Sequence, residues 1–304
     1  MKKTLSLLIV VFLTLASCRQ KETRQASAPY IVTTTGMIAD LAGNIAPGSY
    51  RVEALMGPGV DPHLYKASQG DIRKLADADI ILYNGLHLEG KMTDILEKMG
   101  RSKSVVAVSS GLDHELLIPL EGASAAHDPH IWFDVELWRM TLPVIRDALS
   151  RSFPADQARF ESRAAETDSA LAALHKWVVN EVASVPEERR IMITAHDAFG
   201  YFGRAYGITV HGLQGVSTVA EYGINDVNRM VDLILAKRIR AVFVETSVPR
   251  RSIEAVVAGV RARDGEIRIG GSLYSDAMGP AGSMAGSYEG MVRANVRTIV
   301  EALK

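Results

Sequence analysis

The sequence predicts an α/β fold of two lobes with mainly parallel sheets, joined by one long rigid helix. Three observations predict it. Short β-branched or apolar runs alternate with helical patterns, the signature of parallel strands with helical cover. The alternation stops near the middle of the chain and then restarts. The interruption, residues 154–185, contains no glycine and no proline after Pro154.

The first run opens with a β-branched strand at 30–34, followed by a helical pattern at 37–45. A strand at 51–56 breaks at Gly57-Pro58-Gly59 into a loop holding Asp61, Pro62 and His63. Residues 69–77 are amphipathic. The run DIILY at 79–83 is continuously apolar, as in a strand buried on both faces. A helix at 90–99, a strand at 104–108, a loop at 112–128 and a helix at 134–152 complete the run.

In the interruption, Phe160, Ala164, Thr167, Leu171, Leu174, Val178, Val182 and Val185 recur at steps of three and four, one stripe of a helix. Pro154 suits a first helical turn, where its missing N–H would be unpaired anyway. Pro186 stops the helix. At about 1.5 Å per residue such a strut is roughly 48 Å long. Beyond it, strands at 190–194, 208–212, 240–244 and 267–271 alternate with helices at 198–206, 224–237, 252–263 and 287–303. The division is thus a first lobe at 30–152, an interlobe helix at 153–186 and a second lobe at 187–304. The two lobes are not detectable repeats of one another.

A length of 304 fits about two domains, and 47% hydrophobic with 23% charged residues is ordinary globular composition. A net charge of −1 without a basic run gives no sign of a nucleic-acid partner. Lys2 and Lys3 precede an apolar run at 5–16 that is too short to span a bilayer, which is the form of a secretory signal. It ends Leu15-Ala16-Ser17-Cys18 and resembles the bacterial lipobox, in which the cysteine is lipidated and becomes the mature N-terminus. The alternative is a plain signal with a coincidental cysteine. Cys18 is the only cysteine, so it forms no internal disulfide. Residues 1–18 are thus a lipoprotein signal and 19–29 a polar tether. Loss of the signal lysines moves the charge to −3. The expected location is extracytoplasmic, with a lipid anchor in the membrane.

In open α/β sheets, functional residues collect beyond the carboxyl ends of strands. His63 follows the strand at 51–56, and His196 follows that at 190–194. Asp276 follows the strand at 267–271, and His127 and His130 lie in the loop HDPHIWFD. His87 also follows a strand. His114 lies in a polar loop, His175 falls off the apolar stripe and is expected in solvent, and His211 lies within or just past a strand. Imidazole and carboxylate are ligands of zinc and other first-row divalent ions. The chain has neither HExxH nor CxxC. The residues alone therefore leave two readings open, structural histidines or a metal site.

GPGVDPHLY at 57–65, DIILYNGLHLEG at 79–90, HDPHIWFDV at 127–135, TAHDAFGYFGRAYG at 194–207, FVETSV at 243–248 and LYSDAMG at 273–279 carry a resemblance. The chain resembles the zinc/manganese-binding substrate-binding lipoproteins of bacterial ABC transporters, over all of it from about residue 30. The resemblance implies that His63 and His130 of the first lobe and His196 and Asp276 of the second bind one Zn²⁺ or Mn²⁺ as cargo. It implies a membrane permease as partner, a monomeric receptor and no enzymatic activity. His127 and His87 are not ligands on this reading. Glu245 either orients a histidine N–H or caps the next helix.

The histidine-rich loop of some zinc-specific members is absent, since 112–129 holds only His114 and His127. His196 stands where many manganese members have glutamate. By the Irving–Williams order this donor set binds zinc more tightly than manganese whichever ion is carried. Two rival functions compete with this reading. A siderophore- or haem-type binding protein wants a wide aromatic or basic cleft, whereas the chain has three tryptophans, one of them, Trp177, on the strut. A secreted zinc hydrolase keeps one metal position open for water, with Asp61, Asp128, Asp197 or Glu245 as base. Asp276 as a fourth ligand argues against it.

Overall fold

The computed structural model describes residues 28–120 and 126–304. The expected signal, Cys18 and residues 19–27 of the expected tether lie outside the described residues. The first sheet contains β1 (Tyr30–Thr33), β2 (Arg51–Ala54), β3 (Ile80–Tyr83) and β4 (Ser104–Ala107), all parallel, in the order β2-β1-β3-β4. The second contains β5 (Ile191–His196), β6 (Thr209–Gln214), β7 (Ala241–Glu245) and β8 (Arg268–Leu273), again all parallel, in the order β6-β5-β7-β8. The two lobes thus share one strand order. In each, the chain winds one way after its first strand and the other way thereafter. That reversal opens a crevice at the carboxyl ends of the strands.

The helices covering the first sheet are α1 (Gly36–Ile45), α2 (Gln69–Asp77), α3 (Thr93–Gly100), α4 (Val135–Arg139) and α5 (Leu142–Ser152). The expected helix at 134–152 is therefore two helices. Pro143 has no N–H to give the Arg139 carbonyl, and the chain turns at Met140-Thr141 instead. The loop at 112–128 is partly ordered by pairing. Pro119 bridges His127, and Asp128 N–H donates to the Ile118 carbonyl at 2.9 Å.

The long helix, α6 (Gln157–Ala183), has 27 residues, so it spans about 40 Å rather than 48. Residues 154–156 form a 3₁₀ turn ahead of it, tied down where Tyr50 donates its hydroxyl to Asp156 at 2.7 Å. Its stripe is buried at Phe160, Ala164, Leu171, Leu174, Val178 and Val182. Thr167 is half-buried, with its hydroxyl bonded to the Arg163 carbonyl. The second sheet is covered by α7 (Gly200–Tyr206), α8 (Ile224–Lys237), α9 (Arg251–Arg261) and α10 (Tyr288–Leu303).

α6 packs against α1, α4 and α5 and also against α7 and α10. One continuous apolar core follows from this. It runs from Ile31 and Leu82 through Trp138, Leu171 and Val178 to Phe243 and Ile299, residues of both lobes. Each sheet has a private core on its other face, around Val32 and Ile81 in the first and Val242 and Val256 in the second. The lobes are joined by burial as well as by covalent chain, and each fully buried Leu or Ile in the shared core contributes about 1.5–3 kcal/mol.

Candidate metal centre

His63 lies in the loop between β2 and α2, and His130 in the loop that ends at a 3₁₀ turn, Ile131–Phe133. His196 is the last residue of β5, and Asp276 follows β8. The structure brings these four together. One ligating atom from each lies within 4.8 Å of all the others. His63 Nε2 is 3.2 Å from His130 Nε2, His130 Nε2 is 3.4 Å from Asp276 Oδ1, and His196 Nε2 is 3.3 Å from Asp276 Oδ2. All four are buried, the most exposed being His63 at 4%.

Two of the rings are locked from behind. His130 Nδ1 is 2.6 Å from Asp128 Oδ1, which also accepts the His130 backbone N–H at 2.9 Å. His196 Nδ1 is 2.5 Å from Glu245 Oε2, while Oε1 accepts the His196 N–H at 2.9 Å. A carboxylate only accepts, so each Nδ1 carries a proton, and each Nε2 turns a lone pair inward once its ring is neutral. Glu245 therefore uses both oxygens on His196 and does not cap α9.

Asp128 is the residue that the sequence reading missed, having entered only as a possible base. A signal was present. The triplet Asp-Pro-His occurs at 61–63 and at 128–130, and in both copies the aspartate accepts the N–H of the histidine two residues on.

The charges are interdependent. Burial acts against protonating His130, but Asp128 and Asp276 outweigh it and push its pKa up to about 9. Burial is likewise outweighed at His196, where Glu245 and Asp276 hold the pKa well above the usual histidine range. Burial, then the charge on His130, drives His63 down to about 3. Asp276 is held well below the usual carboxylate range, with His196 and His130 overcoming burial. With neutral rings, three carboxylates would share this buried space uncompensated, a costly arrangement. Protons satisfy it incompletely. Among the described residues, His196 Nε2 and Asp276 Oδ1 have no hydrogen-bond partner, because their contacts at 3.3 and 3.4 Å lack hydrogen-bond geometry. A divalent cation accepts all four lone pairs at once. For bonds of about 2.0–2.1 Å a tetrahedral site has edges of about 3.3–3.4 Å; the three close contacts are of that order, two of them to different oxygens of Asp276.

The other histidines stand apart. His87 is exposed, with φ at 62°. His114 and His127 face one another at 5.4 Å between ring centroids, beside a surface cleft that His87 also lines. His211 lies within β6. His175, expected in solvent, is half-buried, and its ring packs 5.6 Å from that of Tyr206.

A family model described as the periplasmic zinc-uptake complex component A, ZnuA, matches residues 31–302. The chain belongs to the ZnuA family. Its curated relatives in the family are named for different metals. The manganese-binding lipoprotein MntA of Bacillus subtilis is 50% identical over 274 residues, covering 90% of this chain and 89% of that protein. The zinc-binding protein TroA of Treponema pallidum is 46% identical over 283 residues, covering 93% and 91%. The solved structure of periplasmic TroA superposes with a TM-score of 0.88 at 46% identity, covering 90% of this chain and 99% of that one. The two-lobed α/β architecture is thus that of a ZnuA-family protein. Among the described residues, no helix is long and apolar enough to cross a membrane.

Proposed function

We propose that this chain is an extracytoplasmic receptor that captures Zn²⁺ or Mn²⁺ and delivers it to the membrane permease of an ABC importer. One observation carries the reading: four buried donors, two from each lobe, converge, with two of their rings tied back at Nδ1 so that Nε2 faces the shared space. His63, His130, His196 and Asp276 are the ligands, and Asp128 and Glu245 orient two of them. Binding is an exchange in which the ion replaces protons on His130 and His196. Three nitrogens and one carboxylate favour zinc thermodynamically. The names of the relatives support both metals as cargo.

The receptor is a monomer, anchored by lipid on Cys18 after removal of the signal, with 19–29 as tether. Its lobes are 30–152 and 187–304, and 153–186 braces them. It is not an enzyme. Four protein donors complete a tetrahedral ion and leave no open position for a water nucleophile, and Asp128 and Glu245 are hydrogen-bonded to ligand rings. The donors lie too close together to enclose a siderophore or haem.

Elemental analysis and metal-buffered titration of residues 19–304 test the reading. The parent should hold one ion per chain, and His130→Ala should bind it at least a hundredfold more weakly. A metal-free parent, or a variant that binds as tightly, overturns it.

A further inference from the structure

The three histidines are not held alike. His130 and His196 each give Nδ1 to a carboxylate, whereas no hydrogen bond to His63 Nδ1 is found among the described residues. His63 is fixed through its backbone, whose N–H donates to Asp61 Oδ1 at 2.8 Å. The other oxygen, Asp61 Oδ2, accepts the hydroxyl of Thr218 at 2.6 Å, across the cleft in the loop between β6 and α8. Thr218 is 8% exposed, while Ser217, Val219 and Ala220 beside it are exposed. One polar residue is drawn inward from an otherwise solvated loop, and Asp61 is its partner.

The rest of the site is braced differently. Trp132 donates its indole N–H to the Ser275 carbonyl at 3.0 Å, and Tyr288 donates to the Trp132 carbonyl at 2.7 Å. Tyr201 donates to the Asp128 carbonyl at 2.8 Å. These bonds between the lobes flank His130 and Asp276 and do not touch the loop at 57–65. That loop begins with Gly57 and Gly59, the latter at φ +73°, a conformation that glycine adopts without strain.

We propose that the Asp61–Thr218 hydrogen bond is a latch that keeps His63 over the ion and sets the rate at which the ion leaves. Asp61 and Thr218 are positioning residues that act through His63. When Thr218 withdraws, His63 departs first, leaving the ion on His130, His196 and Asp276. This rests on the metal-receptor reading above.

The test is stopped-flow release of Zn²⁺ from the mature chain into excess chelator, beside zinc stoichiometry and melting of the metal-free protein. Thr218→Val keeps the shape and removes the hydroxyl. It should still bind one Zn²⁺, melt with the parent when metal-free, and release zinc about tenfold faster, the scale of one hydrogen bond to a charged acceptor. Thr218→Ser should restore the parental rate. A valine variant within twofold of the parent overturns the latch. If the valine variant melts early, the serine variant decides: a parental rate supports the latch, and a rate as fast as that of valine overturns it. A parent that binds no zinc would instead refute the receptor reading.

Discussion

Asp128 and Glu245 do the same job with different geometry, and amide substitutions separate them. Asp128 accepts both the ring and the backbone N–H of His130 on one atom, Oδ1. An asparagine whose carbonyl takes that place keeps both bonds and loses only the charge. Glu245 divides the work, with Oε2 on the ring and Oε1 on the backbone of His196. A glutamine has one acceptor. If its carbonyl serves the backbone, its NH₂ faces Nδ1 and forces the ring proton onto Nε2, the atom that must hold the metal. If it serves the ring, a buried N–H faces a donor, at about 1–3 kcal/mol. Loss of an orienting carboxylate lowers metal affinity by about 10–100-fold. Asp128→Asn belongs near the lower end, about 1.4 kcal/mol, and Glu245→Gln near the upper, about 2.8 kcal/mol. Competition against a chromophoric chelator measures both, and ¹⁵N shifts of the imidazoles report the tautomer. Equal losses, or a larger loss in Asp128→Asn, would refute the reasoning.

Three further outcomes are expected. His130, at about 9, and His196, well above its usual range, carry protons at neutral pH that the ion must displace. Zinc affinity should therefore rise with pH through the neutral range, and less steeply once His130 has lost its proton above about pH 9; a pH-independent affinity contradicts this. Leu174→Ala, in the shared core at 1% exposure, should cost about 2–5 kcal/mol in urea unfolding while leaving zinc affinity of the folded protein within about threefold. Cys18→Ser should move the protein from the membrane fraction to the soluble one with zinc binding intact, and continued membrane retention would count against the lipid anchor.

Much of this fold is legible in the sequence because its signals are local. The stripe from Phe160 to Val182 is written in residue spacing, and the glycines and prolines around 57–62 mark a loop. The donors His63, His130, His196 and Asp276 are visible as chemistry at strand ends. What is not legible depends on tertiary arrangement. The shared strand order arises from pairing between distant segments, with no residue identities to betray it. Asp128 is an ordinary carboxylate until the ring atom that it faces is known, and for Glu245 the sequence leaves ring orientation and a helix cap both open. Thr218 reads as a loop residue, because its partner is 157 positions away. The break between α4 and α5 is local and is signalled by Pro143, against the apolar pattern around it.

The apolar core that runs through both lobes also governs how the molecule comes apart. Two lobes with separate cores would melt in separate steps, and metal bound between them would delay only the steps it touched. Here Ile31, Val178 and Ile299 belong to one packed body, so loss of order at either end exposes the whole. Melting should be a single cooperative event, and one ion at the cleft should raise the temperature of that event for the entire chain. At a hundred times its dissociation constant the free ion adds about 2.7 kcal/mol. Metal scarcity then becomes a matter of lifetime: a receptor without cargo opens globally more often and is cut by proteases sooner than a loaded one.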